Sequence, residues 1–128
     1  HDVVTKADFA SEKIIVDAIR QAYPDHGIVS EESAPDRADA EYVWYIDPLD
    51  GTKNFSTNVP LFGINIALAH GREVIAAGIY LPVTKDMCLA EVGQGAWING
   101  QRMHSSETQH WDESYGICQV RSYLPQGQ

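Results

Sequence analysis

Tyr42-Val43-Trp44-Tyr45-Ile46 runs straight into Asp47-Pro48-Leu49-Asp50-Gly51-Thr52-Lys53-Asn54-Phe55. The first five residues are an apolar, β-prone run that reads as a buried strand. Pro48 fixes its own φ and has no N–H for a ladder, so a turn is expected there, swinging the Asp47 and Asp50 carboxylates toward one point. Gly51 has no Cβ, which would let a ligand approach the main chain closely. Two carboxylates, a glycine and a hydroxyl in six residues suit a hard cation holding a phosphate.

Asp-Pro and Asp-Gly are also ordinary turn dipeptides, and alone they would mark a surface turn. The neighbouring sequence favours the site. Ile28-Val29-Ser30 is a second β-prone run, and it ends in Glu31-Glu32-Ser33. Adjacent strands deliver their ends to one edge of a sheet, so carboxylates from the two runs are expected to meet. Several converging carboxylates repel one another unless a cation lies among them. Magnesium fits best, since it takes oxygen ligands at about 2.0–2.1 Å and keeps room for waters and phosphate.

Glu31-Glu32-Ser33 together with Trp44-x-Ile46-Asp47-Pro48-Leu49-Asp50-Gly51-Thr52-x-Asn54-Phe55 resembles the inositol monophosphatase family of magnesium-dependent, lithium-sensitive phosphomonoesterases. The likeness runs from the first eight residues to Gly95-Ala96-Trp97-Ile98-Asn99-Gly100, and more weakly to the end of the chain. It implies that Glu31, Asp47 and the Leu49 carbonyl bind one metal, and that Asp47 and Asp50 hold a second. It further implies that Gly51 and Thr52 offer backbone amides to the phosphate, with Glu31, Leu49 and Asp50 beside it. Asp8 and the Thr52 hydroxyl match the pair that orients the attacking water, while Glu31 sets up the metal for that nucleophile. Thr5-x-x-Asp8 also reads as a capping box, and the two roles of Asp8 do not exclude each other. Glu32 reads as an outer or solvent-facing acid and Lys53 as an exposed lysine.

The resemblance implies Mg²⁺ as cofactor, a small phosphorylated polyol such as inositol monophosphate as substrate, and a homodimer. Relatives acting on fructose bisphosphate, histidinol phosphate or adenosine 3′,5′-bisphosphate share the central motif, and Asn54-Phe55 modestly favours the inositol type. Family order also implies that the chain is an incomplete domain, lacking a first helix and a C-terminal half with another metal-binding aspartate. Trp111-Asp112 comes too early to supply that residue and reads as a loop or strand lead-in. A rival reading is a non-catalytic module that binds cations or a partner without turnover.

Elsewhere the sequence is scaffold. Residues 9–23 carry apolar positions at helical spacing, with Glu12, Lys13, Asp17, Arg20 and Gln21 assigned to the polar side; Pro24 ends what reads as a packing helix rather than a site. Residues 34–41 have no apolar period and read as a solvated loop. Short β-prone runs at 62–69, 74–80, 86–92 and 95–98 are separated by turn residues. Hairpin-length connections make antiparallel neighbours, so the expected fold is α+β, a largely antiparallel sheet flanked by helices, part of a layered sugar-phosphatase architecture. Tyr80, Met87 and Trp97 are expected in its core.

Nine Lys and Arg against 18 Asp and Glu leave a formal charge of −9, which disfavours nucleic acid and anionic membranes as partners. No apolar stretch approaches a membrane span, and the expected location is cytoplasmic. Cys88 and Cys118 lack metal or redox spacing and read as buried reduced thiols. His1, His26, His70, His104 and His110 have no companion ligand at metal spacing.

Overall fold

The computed structural model describes residues 5–107 and residue 110; Trp111-Asp112 and Cys118 lie outside them. Helix α1 (Lys6–Ala22) is followed by strands β1 (Gly27–Ser30) and β2 (Tyr42–Asp50) and the short helix α2 (Thr52–Ser56). Strands β3 (Gly63–His70), β4 (Glu73–Leu81), β5 (Asp86–Glu91), β6 (Gly95–Ile98) and β7 (Gln101–Met103) complete the described order. All seven strands form one sheet in chain order. β1 and β2 are parallel, and every later pair is antiparallel. The expected α+β class, a largely antiparallel sheet with helices, is the one observed.

The parallel pair places the site. A parallel neighbour needs a crossover, and residues 31–41 provide it without a helix. That segment is tied down rather than free in solvent: the Ile28 and Asp36 backbones exchange two hydrogen bonds at 2.8 Å. Gly27 makes this closeness feasible, because a Cβ there would stand 2.1 Å from the Arg37 carbonyl oxygen. Since β1 and β2 run the same way, Glu31 emerges beside Ile46, its amide donating to the Ile46 carbonyl at 3.2 Å.

β2 does not turn at Pro48 as expected. It continues to Asp50 with a register shift: Asp47 pairs with Asn65 and Asp50 with Gly63, leaving two residues on β2 against one on β3. One extra residue makes a bulge, where a missing N–H costs no ladder bond and a proline is tolerated. Pro48 is buried there, and its carbonyl accepts from the Ser11 hydroxyl at 2.8 Å.

The core lies between α1 and the β1–β2 end of the sheet, built on Ile19, Ile28 and Ile46 with Ile15, Val16 and Trp44 against them. The inward face of α1 differs from the expected one. Asp8 and Glu12 are buried at 1% and 6% exposure, whereas Ile14 is 71% exposed. α1 therefore buries two carboxylates as well as packing its apolar residues. Among the described residues little covers the β3–β6 region, so Met87 is exposed and Tyr80 and Trp97 are half-buried, contrary to the expected core. Cys88 is a free, half-buried thiol rather than a fully buried one. Among the described residues, no helix is long and apolar enough to cross a membrane.

Candidate active site

A groove of about 890 Å³ opens where β1 and β2 end, and Glu31, Asp47, Asp50, Gly51 and Asn65 contribute to its wall. Four of these five are sequence candidates. Asn65 was missed: it sits opposite Asp47 on β3, and its only signal is a polar residue inside the apolar run Ile64-Asn65-Ile66. Asp8, Leu49 and Thr52 do not line the groove. They form a second group behind it, joined by the Thr52 hydroxyl, which lies 3.1 Å from Asp8 Oδ1 and 2.9 Å from the Leu49 carbonyl oxygen. A hydroxyl has one proton, so it donates to one of these acceptors at a time.

Asp8 is also the capping residue that the sequence suggests. Its carboxylate accepts from the Thr5 amide at 2.8 Å, while the Thr5 hydroxyl accepts from the Ala7 amide at 3.1 Å. Burial opposes the charge on Asp8, but hydrogen bonds from Thr5 and Thr52 outweigh it and hold the carboxyl below its ordinary pKa. Asp8 thus stays ionised at neutral pH in a nearly dry place.

Asp47 behaves in the opposite way. Burial first, then the charges of Glu31 and Asp50, push its carboxyl up to about 6, against a hydrogen bond from the Leu49 amide at 3.2 Å. Glu32 is likewise raised by burial and by Asp8, Glu12 and Asp47. It is half-buried beside the site, not simply solvent-facing. Lys53 is exposed, as expected.

Gly51 lines the groove, and the fold itself also requires a glycine there. Its φ of +85° is left-handed, and a Cβ would meet the Leu61 carbonyl oxygen at 2.9 Å, so glycine is required by the chain's own packing. Asn54 holds the same segment from the other side, its side-chain amide donating to Leu61 O at 2.7 Å.

The donor set has the chemistry of a hard-cation site. Glu31, Asp47, Asp50 and the Leu49 carbonyl offer only oxygen, and burial together with Glu31 and Asp50 raises the Asp47 carboxyl. Among the described residues, no three His, Cys, Asp or Glu side chains stand together as a ready-made ion cage.

Fold and groove together define a carboxylate-rimmed groove at the strand ends of a mixed sheet. The chain belongs to the inositol monophosphatase family, whose model matches residues 1–124. It is 39% identical over 102 residues to the fructose-1,6-bisphosphatase/inositol-1-monophosphatase of Aquifex aeolicus, covering 80% of this chain and 39% of that protein. It is 40% identical over 113 residues to the Nus factor SuhB of Escherichia coli K12, covering 88% of this chain and 42% of that one. The solved inositol monophosphatase of Anabaena sp. PCC 7120 superposes with a TM-score of 0.79 at 38% identity, over 82% of this chain and 42% of that chain. The chain spans about two fifths of the length of the curated relatives it matches.

Proposed function

We propose that this chain is the metal-binding portion of a Mg²⁺-dependent phosphatase that hydrolyses a small phosphate monoester, inositol monophosphate above others. The observation that carries the reading is the groove rimmed by Glu31, Asp47 and Asp50, with Asp47 raised by burial first and then by its two acidic neighbours. Glu31, Asp47, Asp50 and the Leu49 carbonyl would hold Mg²⁺, which when bound would offset phosphate charge and make water more acidic.

The chain's own residues then divide the work. Asp8, ionised, accepts from the Thr52 hydroxyl, and by the family resemblance this pair would orient the attacking water from beside the groove. By the family resemblance the Gly51 and Thr52 amides would serve the phosphate; of the two, Gly51 lines the groove. Asp47 must lose its proton before it can ligate, so its function is favoured above about pH 6. No cysteine, serine or histidine nucleophile is needed.

The test is phosphate release by the full-length protein from inositol 1-phosphate, fructose 1,6-bisphosphate, histidinol phosphate and adenosine 3′,5′-bisphosphate. Inositol 1-phosphate should turn over fastest, and Asp47→Asn should lower the rate at least about 100-fold, the upper end for outer partners of a metal. An Asp47→Asn protein with normal Mg²⁺-dependent turnover ends the proposal. The chain by itself is expected to be nearly inactive.

A further inference from the structure

Glu12 lies one helical turn beyond Asp8 and so on the same face of α1. It is buried at 6% exposure, and its Oε2 accepts from the Ser33 hydroxyl at 2.8 Å while Oε1 is buried without a hydrogen-bond partner among the described residues. A buried carboxylate with so few partners is a poor choice for packing alone, because an apolar side chain would fill the same space without a desolvation cost. Its one hydrogen bond, however, goes to the residue two places after Glu31. Ser33 itself is exposed and has no packing role of its own.

Two further contacts of α1 follow the same plan. Ser11, beside Glu12, donates to the Pro48 carbonyl at 2.8 Å, inside the bulge that separates Asp47 from Asp50. Asp8 accepts from Thr52 at 3.1 Å. One helix therefore grips both strand ends that carry groove carboxylates, at the points where sheet pairing stops or slips. From the sheet side Glu31 has the 3.2 Å backbone bond to Ile46 and a side-chain hydrogen bond with Asp47.

We infer that α1 is a brace for the carboxylate site and that Glu12 is a positioning residue, setting Glu31 against Asp47 through the Ser33 hydroxyl. The inference rests on the reading that Glu31 and Asp47 ligate a cation, and its structural half can be measured without one. Glu12 touches neither cation nor phosphate. It acts by holding the turn that carries a ligand, as partners of metal ligands do when they fix ligand orientation.

The experiment uses Ser33→Ala, Glu12→Ala and Glu12→Gln in this chain, with two readouts. The first is amide hydrogen exchange in metal-free buffer. Ser33→Ala and Glu12→Ala should speed exchange of the Glu31 amide roughly tenfold and leave Val43 and Ile46 unchanged, whereas Glu12→Gln, which keeps an acceptor for Ser33, stays within about twofold of wild type. The second is Mg²⁺ calorimetry at pH 7.5, where the two alanine variants should bind roughly tenfold more weakly and Glu12→Gln within about threefold. Should Glu12→Ala not fold, Ser33→Ala carries both readouts, since it removes one exposed hydroxyl. Unchanged Glu31 exchange in Ser33→Ala, or faster exchange spread evenly over the core, overturns the brace. Wild-type chain that binds no Mg²⁺ while Ser33→Ala still loosens Glu31 would overturn the proposed function and support the brace.

Discussion

Replacing Asp47 by asparagine should stabilise the metal-free chain at neutral pH. The Asp47 carboxyl is raised from 3.8 to about 6, by burial and by Glu31 and Asp50. A carboxyl whose folded pKa lies above its unfolded value binds its proton more tightly in the native state. Its charged form therefore opposes folding: stability falls as pH rises from about 4 to about 6, and the full penalty applies above that. A shift of about two units corresponds to an upper limit of about 3 kcal/mol. The groove admits solvent, which screens the repulsion, so about 1–2 kcal/mol is the expected gain. Asparagine keeps the oxygen that accepts from the Leu49 amide and removes the charge. Urea unfolding with a chelator should place the variant about 1–2 kcal/mol above wild type at pH 7.5, with no gain at pH 4, where wild-type Asp47 is protonated. A variant less stable than wild type at pH 7.5, or equally stabilised at both pH values, would refute the account of crowded carboxylates.

Three other substitutions test the surrounding geometry. Gly27→Ala drives a methyl into the Arg37 carbonyl, backbone against backbone, and should cost about 3 kcal/mol in urea unfolding; a loss below about 1 would mean the 31–41 crossover yields easily. Gly51→Ala must adopt a φ of +85° against Leu61 and should cost about 2 kcal/mol, read in the same way. Thr52→Val removes the hydroxyl between Asp8 and Leu49 and should cost about 1 kcal/mol at pH 7. Because Asp8 is held below its ordinary 3.8, partly by Thr52, that deficit should shrink as pH falls through the folded pKa and the carboxylate protonates. A deficit independent of pH down to acid unfolding would remove Thr52 from the account of Asp8.

The scaffold was legible where apolar runs and turn residues alternate. The runs that became β2 to β6 each stand within about two residues of their expected limits at the starts, and the carboxylate-bearing strand ends meet at one edge because β1 and β2 are parallel. The errors concern residues whose reasons are tertiary. Pro48 looked like a turn because its missing N–H forbids regular pairing, yet a bulge absorbs that defect. Gly51 has a tertiary reason that its sequence setting does not show, since a Cβ there would meet the Leu61 carbonyl. Asp8 was correctly paired with Thr52, while Glu12 was assigned to the polar side of α1. Helical periodicity sorts residues by hydropathy and does not register that the inward end of the helix meets other carboxylates. β7 is only Gln101–Met103 and has no apolar pattern. Asn99-Gly100, both with positive φ, is a hairpin signal that would have revealed it.

The central claim is that Glu31, Asp47 and Asp50 form a site whose negative charge calls for a hard divalent cation. Titrating Mg²⁺ into the chain by calorimetry at pH 7.5, beside Asp47→Asn under the same conditions, tests it most directly. Wild type should bind, the affinity should weaken as pH drops through about 6, where Asp47 takes up its proton, and Asp47→Asn should show no saturable heat. Equal binding by wild type and Asp47→Asn, or none by either, would contradict it.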